Sequence, residues 1–330
     1  MINVLITGAG SLLGQGIIKT LKKSNLKYNI YSTDYFKNSI GFYWSIDSYV
    51  MPDILKYKNK QKDWLDKIIK IVNYNKIDVI IPGLDFELNI FAKNKKIIEK
   101  KSKCKVLIST KSVIKTGLDK WLTYKFLKNN NFYCPESCLP RDLKIFLKKN
   151  KFPFIVKPRF GSTSKNVSFV KNNKELNIAL DNCPNPIIQK KIGTNNNEYT
   201  VGIINYNKKI KSIIALKRKL KNGNTVEATH QKKYLNMYPY LKKIAIKLNP
   251  LGPINFQLKY INNKPYIFEI NPRFSGTTPI RNIFGINEID IIINLIINKK
   301  NTSSEVIKYG TVLKYYEDFF INKNDFKKIK

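Results

Sequence analysis

Residues 252–274 read GPINFQLKYINNKPYIFEINPRF, and the fold turns on how this stretch pairs with itself. Two strand-forming runs flank the turn sequence Asn262-Asn263-Lys264-Pro265, so they pair as an antiparallel hairpin. Gln257 and Glu269 then fall on neighbouring strands. Asn271 and Arg273 follow Glu269 in steps of two and point from the same face, because successive strand side chains alternate. A carboxylate and two carboxamide oxygens on one face suit Mg²⁺ carried by a nucleoside triphosphate, since that ion takes one or two carboxylates and completes its shell with phosphate oxygens and water. Arg273 stands ready to clamp a transferring phosphoryl group. A merely solvated stripe would hold interchangeable Lys and Glu instead of this set in step.

Upstream, FPFIVKP (152–158) ends a strand on Lys157, and the small, hydroxylated loop Gly161, Ser162, Thr163 and Ser164 follows. Backbone N–H groups and the ammonium can close over a polyphosphate there. A plain β-hairpin accounts for the loop equally well.

The first part of the chain alternates short strands and helical periods: INVLIT, GQGIIKTLKKSN, YNIYSTD, DWLDKIIKIVNYN, DVIIPG and CKVLIS. That pattern predicts a doubly wound parallel α/β sheet over residues 1–112. DKWLTYKFLKNNNF reads as one amphipathic helix, and strands and a helix up to PIIQKKI predict a small α+β lid over 113–192. Residues 193–330 predict an α+β unit with an antiparallel sheet, built from EYTVGIINY, KIKSIIALKRKL, the hairpin above, and the helices YPYLKKIAIKLN and INEIDIIINLIINKK. The fold class is therefore mixed α/β and α+β.

The turn TGAGSLLGQG sets Gly8, Gly10, Gly14 and Gly16 between a strand and a helix, with Asp34 ending the next strand. A dinucleotide site needs these features, and so does tight packing of a first helix on a first strand. Tyr124 and Lys128 supply the Tyr-x-x-x-Lys pair of an NAD(P)-dependent sugar-nucleotide reductase or epimerase, a pair that a chain rich in both residues produces by chance.

The net charge of +37 raises a nucleic-acid reading, but the lysines run along the whole length instead of concentrating in one patch. No specific nucleic-acid partner is expected. Cys104, Cys134, Cys138 and Cys183 lack C-x-x-C spacing and the single His230 is remote, which argues against a zinc site or disulfide framework and for a reduced, cytoplasmic setting. No signal peptide or membrane-spanning run is read in the sequence.

FEINPRFSGTTP (268–279), VKPRFGSTSKNV (156–167), GLDFELNIFA (83–92) and LDKWLTYKFLKNNNFYCPES (118–137) resemble the ATP-grasp superfamily. The resemblance runs over nearly the whole chain, in the branch similar to carbamoyl phosphate synthase large subunits and pyrrolysine-pathway ligases. It implies an ATP-grasp fold with an N-terminal Rossmann-like pre-ATP-grasp domain, a lid and a C-terminal antiparallel-sheet subdomain. It further implies an ATP-dependent carboxylate–amine ligase that works through an acyl phosphate, with ATP and Mg²⁺ (Mn²⁺ as the alternative ion) and small-molecule carboxylate and amine substrates. A homodimer is the assembly that such relatives suggest.

Carried over residue by residue, the resemblance implies that Lys120 and Lys157 contact ATP phosphates. Gln189, Lys190, Lys191 and Ile192 match the hinge that reads adenine, with Gln189 bonding its amino group where relatives often carry Glu, and Glu198 matches an acid near the ribose. Gln257, Glu269 and Asn271 match the metal ligands, and Arg273 the arginine beside the transferred phosphate. Lys217, Arg218, Ser275, Thr277 and Arg281 fall near a carboxylate substrate, Arg218 as a bidentate partner. His230 is read as structural with a catalytic role left open, and Glu87 as either lining a substrate cleft or capping a helix.

Overall fold

The structure, a computed structural model, describes residues 1–161, 166–300, 307–322 and 329–330. The chain opens with β1 (Ile2–Thr7), α1 (Leu12–Lys22), β2 (Tyr28–Asp34), β3 (Asp47–Val50), α2 (Gln61–Tyr74), β4 (Val79–Ile81), α3 (Asp85–Lys101) and β5 (Lys105–Val106). These strands form one parallel sheet in the order β3-β2-β1-β4-β5. Ser11 caps α1 by accepting from Gly14 N–H, and Lys19 and Lys22 lie in its last turn, where cations suit the helix dipole. Trp64 and Phe91 fill one face of the sheet.

Next come α4 (Lys111–Leu118), α5 (Lys120–Asn129), β6 (Ser137–Cys138), α6 (Leu143–Lys149), β7 (Phe154–Pro158), β8 (Ser168–Val170), α7 (Asn173–Asp181) and β9 (Pro186–Lys190). DKWLTYKFLKNNNF belongs to the second helix of a pair, because Asp119 breaks the helix and caps α5 from its carboxylate to Trp121 N–H. Strands β6-β9-β7-β8 form a small antiparallel sheet over its own core, which includes Phe146, Phe154 and Leu176.

The remainder holds β10 (Glu198–Tyr206), β11 (Lys209–Lys221), β12 (Asn224–His230), α8 (Tyr238–Leu248), β13 (Gly252–Ile261), β14 (Lys264–Asn271), α9 (Thr278–Ile283), α10 (Glu288–Ile293) and β15 (Gly310–Leu313). Its antiparallel sheet runs β14-β13-β10-β11-β12-β15. The expected hairpin forms, turning through Asn262 and Asn263 at φ of 48° and 59°, the left-handed pair of a two-residue turn. The long final helix expected from the sequence is instead short α10 continued by a π-helical turn over Asn294–Asn298. Ile17 and Ile18 of α1 share one core with Ile280, Phe284, Ile289 and Ile292, so the parallel sheet packs directly against the C-terminal unit.

Candidate active site

The small antiparallel sheet and the six-stranded sheet face each other across a cleft of about 620 Å³. Lys120, Lys157, Gln189, Lys190, Lys191, Ile192, Glu198, Arg218, Gln257 and Glu269 all line it. Separate elements therefore bring these sequence candidates together. Ser162, Thr163 and Ser164 lie outside the described residues.

Lys157 ends β7 almost wholly buried, donates to Gln189 Oε1 at 2.9 Å and sits 5.3 Å from the Phe268 ring centroid. Burial, helped by nearby Lys120, pushes its ammonium down to about 8 against the pull of Glu269 and Glu198. Lys120 reaches Gly161 O at 2.7 Å, at the start of the loop. The Gln189 carboxamide is engaged at both ends, its oxygen accepting from Lys157 and its N–H donating to Ser137 Oγ at 2.9 Å. The N–H groups of Lys190 and Lys191 are likewise engaged, on Glu136 O and Pro153 O.

Across the cleft, Gln257 and Glu269 are register partners, as the hairpin required. Glu269 Oε1 accepts from Gln257 Nε2 at 3.2 Å and Asn271 Nδ2 at 2.9 Å. Arg218 Nη2 donates to Gln257 Oε1 at 2.6 Å and Glu198 Oε1 at 2.7 Å, while its buried Nε has no partner among the described residues. Glu198 also pairs with Lys259 at 2.7 Å. Burial alone would raise the Glu198 carboxyl, but Arg218 and Lys259 outweigh it and hold it below the usual range.

Among the described residues no three of His, Cys, Asp or Glu converge, so a metal at this hairpin would take carboxamide oxygens beside one carboxylate. That donor chemistry fits a hard ion supplied together with phosphate oxygens. Half-buried Glu269 faces the cleft, and its Oε2 carries no hydrogen bond among the described residues.

Arg273 is set apart from these lining residues. It does not line the cleft: it is buried, with Nη2 on Asp85 Oδ2 at 3.0 Å and on Asn271 Oδ1 at 3.2 Å. Burial would lower its affinity for the proton, yet Asp85 more than compensates.

The expected carboxylate-binding group divides. Lys217 does not line the cleft but an adjoining hollow, with Tyr199, Thr229 and Arg218, which borders both. Arg281 is fully buried, bonding Glu288 at 2.7 Å, Ser275 at 2.8 Å and Thr277 at 2.9 Å, so all three serve the protein's own network. His230 is buried, bonds Ala215 O at 2.8 Å and stacks on Tyr309, and burial lowers its pKa. Glu87 neither lines this cleft nor caps a helix with its side chain. It is sealed beneath β1, accepting from Thr7 and from Tyr35 at 2.8 Å, and burial pushes its carboxyl up to about 7.

Asp85 and Lys259 escaped the sequence reading. Lys259 stands two residues beyond Gln257, the period that shares a strand face, and Asp85 opens the helix after the carboxyl end of a parallel strand, where α/β sheets gather ligands.

A parallel α/β domain is thus followed by two antiparallel sheets that close on a cationic, carboxamide-lined cleft. Residues 118–277 match the family model of an ATP-grasp domain, and residues 4–107 that of a PylC-like N-terminal domain. Residues 118–277 of this chain belong to the ATP-grasp family, and residues 4–107 to the PylC-like N-terminal family. The chain is similar to the carbamoyl phosphate synthase large chain of Clostridium perfringens, 26% identical over 180 residues, which cover 48% of this chain and 16% of that protein. The chain thus spans about a sixth of that relative's length. An N5-carboxyaminoimidazole ribonucleotide synthetase solved as an ADP complex superposes with a TM-score of 0.74 at 16% identity, covering 94% of this chain and 80% of that one. An L-amino acid ligase from Bacillus licheniformis gives 0.67 at 15% identity, covering 89% and 74%. Likeness at such identity speaks for the fold. No helix among the described residues is long and apolar enough to cross a membrane.

Proposed function

We propose that this chain is an ATP-dependent, ADP-forming carboxylate–amine ligase working through an acyl phosphate. The observation that carries the reading is the pairing of Gln257 with Glu269 on the wall of a cleft whose opposite wall presents Lys157. In this reading residues 1–112 form the pre-ATP-grasp domain, 113–192 the lid and 193–330 the unit bearing the metal ligands.

Lys120 and Lys157 hold nucleotide phosphates from the lid side, and Lys191 and Ile192 border the base. Glu198 serves the ribose end once Arg218 is drawn off it. Gln257, Glu269 and Asn271 would hold Mg²⁺, which would supply charge neutralisation on the phosphate oxygens. A substrate carboxylate oxygen attacks the γ-phosphorus, the bond to the bridging oxygen breaks and ADP leaves. An amine nitrogen then attacks the acyl carbon, phosphate departs with the bonding pair, and the nitrogen loses its proton. No side chain acts as nucleophile, so positioning and charge carry the catalysis. Arg218, whose Nη2 already bridges two oxygens of the cleft, can turn to the substrate carboxylate. The acids and amines to test are amino acids and amino sugars.

Thermal unfolding with MgADP, Mg²⁺ alone, NAD⁺ and NADPH tests the reading, because ligand at about 100 times its dissociation constant stabilises by about 2.7 kcal/mol. A shift with the Mg-nucleotide only is expected. A shift only with a nicotinamide cofactor would overturn the reading.

A further inference from the structure

We infer that Asp85 is a positioning residue for phosphoryl transfer, acting through Arg273 from the N-terminal domain. The inference rests on the ligase reading and adds a residue which that reading does not assign. Asp85 is the first residue of α3, directly after the Gly83-Leu84 loop that leaves β4, and it reaches Arg273 just beyond the end of β14. The contact is two-pronged, Nε on Oδ1 at 2.5 Å and Nη2 on Oδ2 at 3.0 Å. It also crosses between domains, spanning 188 positions of sequence.

A guanidinium has five N–H donors in one plane. Nε is engaged by Asp85, Nη2 by Asp85 and Asn271 Oδ1, and one Nη1 hydrogen by Phe274 O at 2.9 Å. Among the described residues that leaves one Nη1 hydrogen for an anionic group, in a direction set by the plane that Asp85 fixes.

The same fork reaches the residues proposed as metal ligands. Arg273 claims the Asn271 oxygen at 3.2 Å, which turns the Asn271 N–H toward Glu269, and Glu269 in turn receives Gln257. From Asp85 a continuous chain of bonds therefore runs through Arg273, Asn271, Glu269, Gln257 and Arg218 to Glu198. A carboxamide in place of Asp85 keeps the size but gives up the charge and one of the two strong acceptors, which frees the arginine plane to rotate.

Two nucleotides separate this role from a structural one, MgADP and the magnesium complex of β,γ-imido-ATP, because only the second presents a γ-phosphoryl group. Titration calorimetry of Asp85→Asn should show the imido-ATP complex weakened about tenfold or more, as for loss of a charged hydrogen bond, with MgADP affinity held within about twofold. Asp85→Glu should restore part of the difference. In an Arg273→Ala background, Asp85→Asn should add nothing. Equal weakening of both nucleotides, no weakening of either, or a full effect without Arg273 would each overturn the role. Should Asp85→Asn fail to fold, the Asp85→Glu and Arg273→Ala titrations decide alone: unchanged discrimination in both refutes the inference. Failure of the unaltered chain to bind MgADP would refute the ligase reading itself, an outcome distinct from MgADP binding with Asp85 irrelevant.

Discussion

Two regions of this molecule look like phosphate sites in the sequence, and the structure treats them oppositely. At the hairpin, Gln257 and Glu269 stand on the wall of an open cleft with Lys157 opposite. At the glycine turn after β1, the protein's own groups occupy features that a dinucleotide would use. Gly10 N–H donates to Asp34 Oδ2 at 2.6 Å, so the acid meant for ribose hydroxyls is engaged by the turn itself. A methyl group on Gly14 would lie 2.2 Å from Gly8 O, and one on Gly10 would lie 2.6 Å from Ser39 Oγ. Glycines let two backbones approach, and here the second backbone belongs to the protein. A phosphate site is defined by what is left unbonded and open more than by the residues that border it.

The contrast is most exposed to test at Glu269. Glu269→Ala removes the only carboxylate of the proposed ligand set and should cut Mg²⁺-dependent ADP formation about 100-fold or more, measured as ADP release once substrates are found, with an unchanged melting temperature. Near-normal turnover would erase the distinction between the two regions. The reverse holds at the turn. Gly14→Ala should destabilise by about 1–3 kcal/mol in denaturant titration, although alanine in a helix is otherwise favoured over glycine by about 1 kcal/mol, because the new methyl meets backbone that cannot move aside. MgADP affinity should not change, and neither NAD⁺ nor NADPH should bind.

A smaller effect sharpens the open side of the comparison. Lys157 holds its proton below about 8, where burial has moved it. The ammonium proposed to meet phosphate is present below that pH and is lost as pH rises through it. MgADP affinity, followed by calorimetry, should therefore fall about tenfold between pH about 7.5 and about 9.5. Lys157→Met should bind weakly at both and show no such fall. For the nucleotide-free protein the sign reverses: a lysine whose folded pKa is depressed makes folding more favourable as pH rises from about 8 toward the unfolded value, since the buried charge is given up.

Periodic apolar patterns made the parallel sheet, the small sheet and the hairpin legible in the sequence. Strand β12 was not legible, because NTVEATH carries little apolar alternation and pairs through its backbone with β11 and β15. Nor was β15, whose residues are largely exposed. Gln257 and Glu269 were readable because a two-residue turn fixes register, and register fixes which side chains oppose each other. The partners of Glu198, Gln189 and Arg273 were less so, since each is chosen by a fold-level contact: Arg218 from the next strand, Lys157 from 32 positions away, Asp85 from another domain. Chemistry local to one hairpin can be read from spacing, whereas what turns a side chain toward or away from a cleft depends on distant packing.

The smallest expected effect lies at Tyr124, where the sequence offered a Tyr-x-x-x-Lys pair. Catalytic use of that pair requires a tyrosine that gives up its proton easily beside a lysine. The structure supplies the opposite. Tyr124 donates to Glu136 Oε2 at 2.9 Å, Lys128 is bound to the other oxygen of the same carboxylate, and burial with the Glu136 contact raises the phenol well above its usual range. The lysine neutralises Glu136 and leaves the phenol fully protonated. Tyr124→Phe should then cost no more than about 1 kcal/mol in denaturant titration, the net value of one hydrogen bond to a half-exposed acid, and leave ADP release and MgADP affinity unchanged. A large loss of turnover with folding intact would return chemistry to this pair and reopen the reading in which the glycine turn, and not the hairpin, is the working site.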